Sequence, residues 1–371
     1  MRFFSILRVS GALLAAAMLF AAEPVFAQGA SYEAKLAAYT KARNAYEAQA
    51  SAYWNAITEK RRTRFAKRRN HEPVALEDYV LTQPPIYSGP SRPVDPDAPK
   101  GDPTRPPRTP IPVVADFLRA AADHHRFVPQ RPASESEFKR AYARVAKASG
   151  LTRDQVVRIY AFETGGNGSY DVQSGLTHPR PGARAISTAV GYNQLLTTNS
   201  VSLLAGYGDH FVSELRQKDA AENKINLFRR MIAFSRTVPN QWSEHGKLAK
   251  TSRGYGIHAA LLDRDIGPLL QVQKLLTSIK FAQTKGHTKV LTAAELEMMN
   301  LTGDGNGIDL VTMPQSLRER VPTSNFFQRG GYERNGIARR TGVVSALYAE
   351  MNGIMDRSSQ QPGAKELAAA F

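Results

Sequence analysis

The chain has 371 residues, a formal net charge of +16 at pH 7 and no cysteine. The absence of cysteine excludes a disulfide framework, a lipid-modified cysteine and thiolate chemistry. The positive charge would suit nucleic acid, but the first 27 residues predict export, which argues against that partner. An exported basic protein is attracted instead to the anionic polymers of the cell envelope.

Residues 1–27 have the pattern of a cleaved secretory signal peptide. Arg2 and Arg8 supply the positive start, residues 12–22 are apolar, and residues 25–27 form the small-residue cleavage pattern. The apolar run is too short to span a membrane. The sequence therefore predicts a periplasmic or secreted protein without a lipid anchor or a transmembrane helix.

Residues 28–70 are predicted to form one long helix. A tyrosine recurs every seven residues along it, at Tyr32, Tyr39, Tyr46 and Tyr53. Such a repeat predicts a helix that packs along its length, in a hairpin or a short coiled coil, and helix-mediated self-association is one form of this. Residues 60–69 include seven basic side chains. These indicate either a solvated basic helix end or an electrostatic tether to anionic envelope polymers.

Residues 71–112 are predicted to form a proline-rich linker or strap. The stretch from Gln83 to Pro112 holds 11 of the 22 prolines in the chain. A segment of this composition cannot build a packed core, so it is expected to be an extended spacer or a strap over the domain surface.

Residues 113–355 are predicted to form a single, mostly α domain, and residues 356–371 a flexible tail. Apolar residues recur at helical spacing, and alternating strand patterns are nearly absent. Capping boxes mark three of the helix starts, at Ser134 with Glu137, Thr152 with Gln155, and Thr292 with Glu295.

Glu163 is the leading candidate for a catalytic residue. Its helix begins at the Thr152 capping box and ends at the pair Gly165-Gly166. Glu163 lies on the apolar stripe of that helix and in its last turn, where the helix dipole repels negative charge. Both effects raise the pKa of a carboxyl group, as a general acid near neutral pH requires. The alternative is an ordinary helix-end glutamate that pairs with an arginine.

The segment Glu163-Thr164-Gly165-Gly166, followed by AVGYNQLL at residues 189–196, resembles the lytic transglycosylases of the lysozyme-like superfamily. In that family a Glu-Ser pair closes a helix, and a Gly-Leu-Met-Gln-Leu type segment follows. Here Thr164 stands where serine is usual. The resemblance implies a lysozyme-like helical domain and a glycan-cleaving lyase. Such a lyase cleaves the β-1,4 bond between N-acetylmuramic acid and N-acetylglucosamine in peptidoglycan strands with one glutamate and no cofactor, leaving a 1,6-anhydro product.

The same resemblance implies which residues bind the sugar. Gly191, Tyr192, Asn193 and Gln194 correspond to the substrate-binding segment along the cleft. Of these, Tyr192, Asn193 and Gln194 are suited to hold sugar hydroxyl and N-acetyl groups by hydrogen bonding and ring stacking. Asn300 lies in a second segment, where the family has Ala-Tyr-Asn-Ala-Gly at a helix end. In this chain methionine replaces the tyrosine, and the spacing from Asn300 to the glycine is one residue longer.

Other chemistries lack their motifs. The eight histidines offer no HExxH and no pair on one helical face, so no metal site is predicted, and no GxSxG occurs. The run from Asp304 to Asp309 lacks the glutamate of a calcium loop and is interpreted as a turn. Asp171, Asp304 and Glu333 are interpreted as ordinary loop residues, which leaves Glu163 without a second catalytic acid.

Two other functions remain open. The chain could be a non-catalytic glycan-binding or cell-envelope scaffold protein with a lysozyme-like domain. It could also be a hydrolytic muramidase, in which water takes the place of the C6 hydroxyl.

Overall fold

The computed structural model describes residues 31–97, 110–176 and 182–371 of the chain. The predicted signal peptide lies outside these residues. Within them the fold is mostly α, as the sequence predicts: it has 16 α-helices, three short 3₁₀ segments and only isolated β-bridges. No helix in these ranges is both long enough and apolar enough to cross a membrane.

The helices are α1 Tyr32–Arg69, α2 Val114–His125, α3 Glu135–Ala148, α4 Arg153–Thr164, α5 Thr197–Gln217, α6 Glu222–Ser235, α7 Trp242–Leu248, α8 Ser252–His258, α9 Ile266–Thr284, α10 Ala293–Thr302, α11 Asp304–Val311, α12 Gln315–Arg318, α13 Arg329–Arg334, α14 Gly336–Thr341, α15 Val344–Ser359 and α16 Pro362–Ala369. The 3₁₀ segments are Leu76–Asp78, Ala259–Leu262 and Thr323–Phe326.

The contacts between the described residues divide them into two compact units. The first comprises those of residues 1–49 and 85–106, and the second those of 50–84 and 107–371. The division falls within α1. The second unit therefore includes the C-terminal part of α1 and part of the proline-rich stretch. The sequence analysis assigns both regions to segments outside the domain.

In the first unit, the tyrosine repeat of α1 packs against the proline-rich stretch. The ring of Tyr87 lies edge-on to Tyr39 and Tyr46, with centroids 6.3 and 5.5 Å apart. The Arg43 guanidinium lies over the rings of Tyr46 and Tyr87, at 5.0 and 5.3 Å from their centroids. Aromatic and cation–π contacts of this kind hold Tyr87 on the helix surface.

In the second unit, α4 packs against α3, α10, α15 and α16. Both ends of α4 are those that the sequence predicts. Thr152 Oγ1 accepts a hydrogen bond from Gln155 N at 3.2 Å, Gln155 Oε1 accepts one from Thr152 N at 2.8 Å, and Gly165 caps the helix in the left-handed conformation. The apolar stripe is buried, at Val156, Ile159 and Tyr160.

The C-terminal half of α1 carries a buried charge network. Arg64 is fully buried, and its Nε donates to Asp309 Oδ2 at 2.7 Å. Arg68 donates to the other oxygen of Asp309, at 3.0 Å from Nε and 2.6 Å from Nη2. One buried carboxylate on α11 is thus held between two arginines of α1.

The interpretation of residues 60–69 as a solvated basic helix end is wrong for the side of the helix that faces the domain, although Arg62 and Arg69 are exposed. Arg61 is buried as well as Arg64, and its Nη2 donates to the Phe327 carbonyl at 2.8 Å. Lys67 pairs with Asp78 at 2.7 Å. On this side of the helix, carbonyl groups and carboxylates of the domain compensate the positive charges.

The prediction of a flexible tail from residue 356 is also wrong. Helix α15 continues through Ser359, and Pro362 opens α16, where a proline at the first helical position costs no hydrogen bond. Ala364 and Leu367 lie three residues apart on one face of α16 and are fully buried. Lys139 donates to Glu366 of this helix at 2.6 Å.

Two of the predicted loop residues lie in helices. Gly303, with φ of +79°, lets the chain turn sharply after α10, and Asp304 then begins α11. A carboxylate is favourable at this end of a helix, and Asp304 also accepts a hydrogen bond from Ser278 at 2.7 Å. The predicted turn from Asp304 to Asp309 is therefore the start of a helix, and Glu333 lies in α13.

Candidate functional site

Glu163 lies in the last turn of α4, on the side that faces α10. The residue is partly buried. Asn300 of α10 donates from Nδ2 to Glu163 Oε1 at 2.9 Å. Among the described residues, no arginine forms an ion pair with Glu163, so the alternative of an arginine-paired surface glutamate does not hold here.

A second carboxyl group, that of Glu297, meets Glu163 in the interior. Glu297 lies one turn before Asn300 on α10 and is 1% exposed. The same Asn300 Nδ2 donates to Glu297 Oε1 at 3.3 Å, so the two carboxyl groups lie side by side and each affects the pKa of the other. Glu297 Oε2 is buried and accepts no hydrogen bond from an N–H or hydroxyl group.

The surroundings of this pair favour its protonated forms. Burial raises the pKa of Glu163 from 4.5 to about 7, against the opposing effects of the hydrogen bond from Glu297, the charge of Lys274 and the hydrogen bond from Asn300. Burial, and then the charge of Glu163, raises the pKa of Glu297 well above its ordinary value. Two adjacent buried carboxyl groups resist ionising together, so the pair holds at least one proton at neutral pH.

Asn300 is the predicted sugar-binding residue that the structure brings to Glu163. Tyr192 lies elsewhere and is fully buried. Its hydroxyl donates to the Glu135 carboxylate, and its ring packs edge-on to Tyr160 with centroids 4.8 Å apart. The prediction that Tyr192 stacks on a sugar is therefore wrong, because its ring is enclosed by protein. It supports α4 one turn before Glu163 instead.

The rest of this segment forms a tight turn inside the domain. Asn193 is buried and fully bonded: Tyr142 donates to its Oδ1 at 3.0 Å, and its Nδ2 donates to the Gln271 carbonyl at 2.9 Å. Gly191 has φ of +85°, and a Cβ there would lie 1.9 Å from Gln271 Nε2. Gln194 Nε2 donates to the Gly191 carbonyl at 2.8 Å. The predicted sugar contacts of Asn193 are wrong for the same reason as those of Tyr192, and Gly191 and Gln194 shape the turn.

The sequence interpretation missed Glu297. Its signal is the one that singles out Glu163: an acidic residue within an apolar helical stretch, between Leu296 and Met298. Asn300 follows three residues later, on the same face of α10. The Thr292 capping box locates this helix correctly, so the face that carries Glu297 and Asn300 can be deduced from the sequence.

No protein-family model, curated protein or solved structure matches the chain. Across residues 31–97, 110–176 and 182–371, no group of three or more His, Cys, Asp or Glu side chains is placed to hold a metal ion. What the site can do must therefore be deduced from its own groups. A partly exposed carboxyl group with a pKa near 7, beside an amide and a second acid, can both donate and accept a proton at neutral pH.

Proposed function

We propose that the chain is an exported peptidoglycan lytic transglycosylase with a lysozyme-like domain, and that Glu163 is the one residue that exchanges protons with the substrate. The supporting observation is the buried environment that Glu163 shares with Asn300 and Glu297. Burial raises the pKa of Glu163 to about 7, although the residue as a whole is only partly buried. A general acid is most effective when its pKa lies near the working pH.

The reaction uses Glu163 twice. The protonated carboxyl first gives its proton to the oxygen between C1 of N-acetylmuramic acid and C4 of N-acetylglucosamine. The C1–O bond breaks, N-acetylglucosamine leaves as an alcohol, and the acetamido oxygen of the muramic acid bonds to C1. The Glu163 carboxylate then removes the proton of the C6 hydroxyl, O6 bonds to C1, and the acetamido oxygen is released. No water is consumed, and Glu163 ends protonated, as it began.

The position of Glu297 argues for this single-residue chemistry. In most two-carboxylate glycosidases the groups lie about 5 Å or more apart, with the sugar between them. Glu297 is instead buried, and it shares the Asn300 amide with Glu163 on the same side of the site. It therefore cannot act on the opposite face of a sugar ring, and the nucleophile has to come from the substrate.

The test is the digestion of purified sacculi by the mature protein, with mass spectrometry of the released muropeptides. The wild-type protein should release 1,6-anhydro products, and Glu163→Gln should reduce their rate of release about 100-fold or more, as expected for the loss of a general acid. Glu333→Gln is the matched control, because Glu333 is an exposed helical glutamate, and it should keep full activity. Undiminished release by Glu163→Gln would refute the assignment.

The same experiment separates the other two functions. A hydrolytic muramidase would give products heavier by one water and without the anhydro ring. Binding of the protein to sacculi with no release of muropeptides, by wild type and variant alike, would favour the non-catalytic glycan-binding protein.

A further inference from the structure

We infer that Glu297 is a positioning residue: a neutral carboxylic acid that donates its proton in a hydrogen bond to Glu163 and never touches the substrate. This inference rests on the proposed function, because it assigns to Glu297 a role in the reaction at Glu163.

The geometry is that of two carboxyl groups around one amide. Asn300 Nδ2 carries two protons, and the two oxygens that accept from it belong to different carboxyl groups, Glu163 Oε1 at 2.9 Å and Glu297 Oε1 at 3.3 Å. This arrangement holds the two carboxyl groups side by side. The contact between them is favourable only if one of them carries a proton, since two carboxylates have none to share.

Burial decides which of the two carries that proton. Glu297 is 1% exposed, and its Oε2 lacks a donor from the protein, so an ionised Glu297 would be a buried charge with an unsatisfied oxygen. Glu163 is less buried than Glu297, and it accepts the shorter of the two hydrogen bonds from Asn300, which favours its ionised form. The proton therefore stays on Glu297. The charged groups that act on the pair are the carboxyl groups themselves and Lys274 of α9, whose attraction reaches both.

This arrangement gives Glu297 a definite task in the reaction. When Glu163 gives its proton to the leaving group, its new carboxylate accepts hydrogen bonds from the Asn300 amide and the Glu297 hydroxyl. Both bonds stabilise the ionised form of Glu163 and fix the orientation of its carboxylate. The proton of Glu297 stays on Glu297 throughout, and the catalytic proton moves only between Glu163 and the sugar.

Two variants of Glu297 test the inference through the pH dependence of muropeptide release. The activity of a general acid falls as the pH rises through its pKa. Glu297→Gln keeps a neutral donor of the same size, so the alkaline limb of the profile should stay within about 0.3 pH unit of wild type. Glu297→Leu removes the donor. It should lower the rate about 10-fold and move the alkaline limb to higher pH, because the ionised Glu163 loses a hydrogen bond.

The opposite charge state gives a different result. If Glu297 were ionised, Glu297→Gln would remove a negative charge next to Glu163. The alkaline limb would then move to lower pH by about one unit or more, and the inference would be overturned. A purely structural role of Glu297 would not move the alkaline limb of the pH profile. An unchanged alkaline limb in both Glu297→Gln and Glu297→Leu would therefore also overturn the inference.

A titration without substrate keeps this inference separate from the proposed function. Glutamate side chains labelled with ¹³C at Cδ report ionisation by NMR, and the signal lost in Glu163→Gln identifies Glu163. That signal should titrate near pH 7 in the wild type and in Glu297→Gln, and the Glu297 signal should stay that of a neutral acid. If this holds but sacculi stay intact, the proposed function fails and the neutral donor stands. If sacculi are digested but Glu163 titrates at least one unit lower in Glu297→Gln, only the inference fails.

Discussion

Replacing Glu163 by glutamine removes one titrating group from the interior and keeps the size of the side chain. In the folded chain, burial raises the pKa of Glu163 from 4.5 to about 7, whereas the unfolded chain titrates near the ordinary value. Between these two pH values the folded chain binds a proton that the unfolded chain has released. The stability that this proton provides is present below pH 4.5 and is lost as the pH rises towards 7.

The magnitude follows from the shift. Each unit of pKa difference corresponds to about 1.4 kcal/mol, so this group should cost the wild-type protein about 3 kcal/mol of unfolding free energy between pH 4.5 and pH 7. The Glu163→Gln variant should not lose this contribution. The difference in unfolding free energy between the two proteins should therefore change by about 1.4 kcal/mol per pH unit in this range and level off above it.

The assay is urea unfolding followed by helical circular dichroism, at intervals of half a pH unit from pH 4 to pH 8. The difference in unfolding free energy between variant and wild type cancels the contributions of titrating groups that are the same in both. One such group is His258, whose pKa is lowered by burial to about 4. A difference that stays constant from pH 4.5 to pH 7 would show that Glu163 titrates normally, and it would remove the basis for its role as an acid.

Three further predictions concern stability and use the same urea assay. Arg64→Met should cost about 3–5 kcal/mol because it leaves Asp309 without its fully buried partner, and a loss below about 1 kcal/mol would contradict the buried pair. Gly191→Ala should cost more than Gly286→Ala: both have positive φ, but only a Cβ at Gly191 meets another group. Equal losses would show that the turn at Gly191 is not tightly packed. Leu367→Ala should cost about 2–5 kcal/mol, whereas a residue in a flexible tail would cost almost nothing.

Local sequence signals are enough to predict the two helices, α4 and α10, that carry the residues of the site. The capping boxes at Thr152 and Thr292 locate the starts of α4 and α10, because they depend only on residues within one turn of each other. The apolar stripe and the helix end then place Glu163 where burial raises its pKa. These inferences need no knowledge of which helices pack together.

The remaining features depend on contacts between residues far apart in the sequence. Arg64 and Asp309 are separated by 245 positions, so a local pattern could only interpret that end of α1 as a basic surface. Likewise, Tyr192 looks like a residue for stacking on sugars until Tyr160 and Glu135 are found around it. The pairing of Glu163 with Glu297 is of the same kind, because α4 and α10 meet only in the folded chain.

The charge network around Asp309 has a consequence for attempts to isolate a minimal active fragment. A truncated protein that begins at Val113 would keep every residue of the predicted catalytic domain but would lack Arg64 and Arg68. Asp309 would then lose both arginines that neutralise it, and the face of the domain that α1 covers would be uncovered. Loss of activity after such a truncation would therefore reveal nothing about catalysis, and an informative N-terminal deletion must leave these two arginines in place.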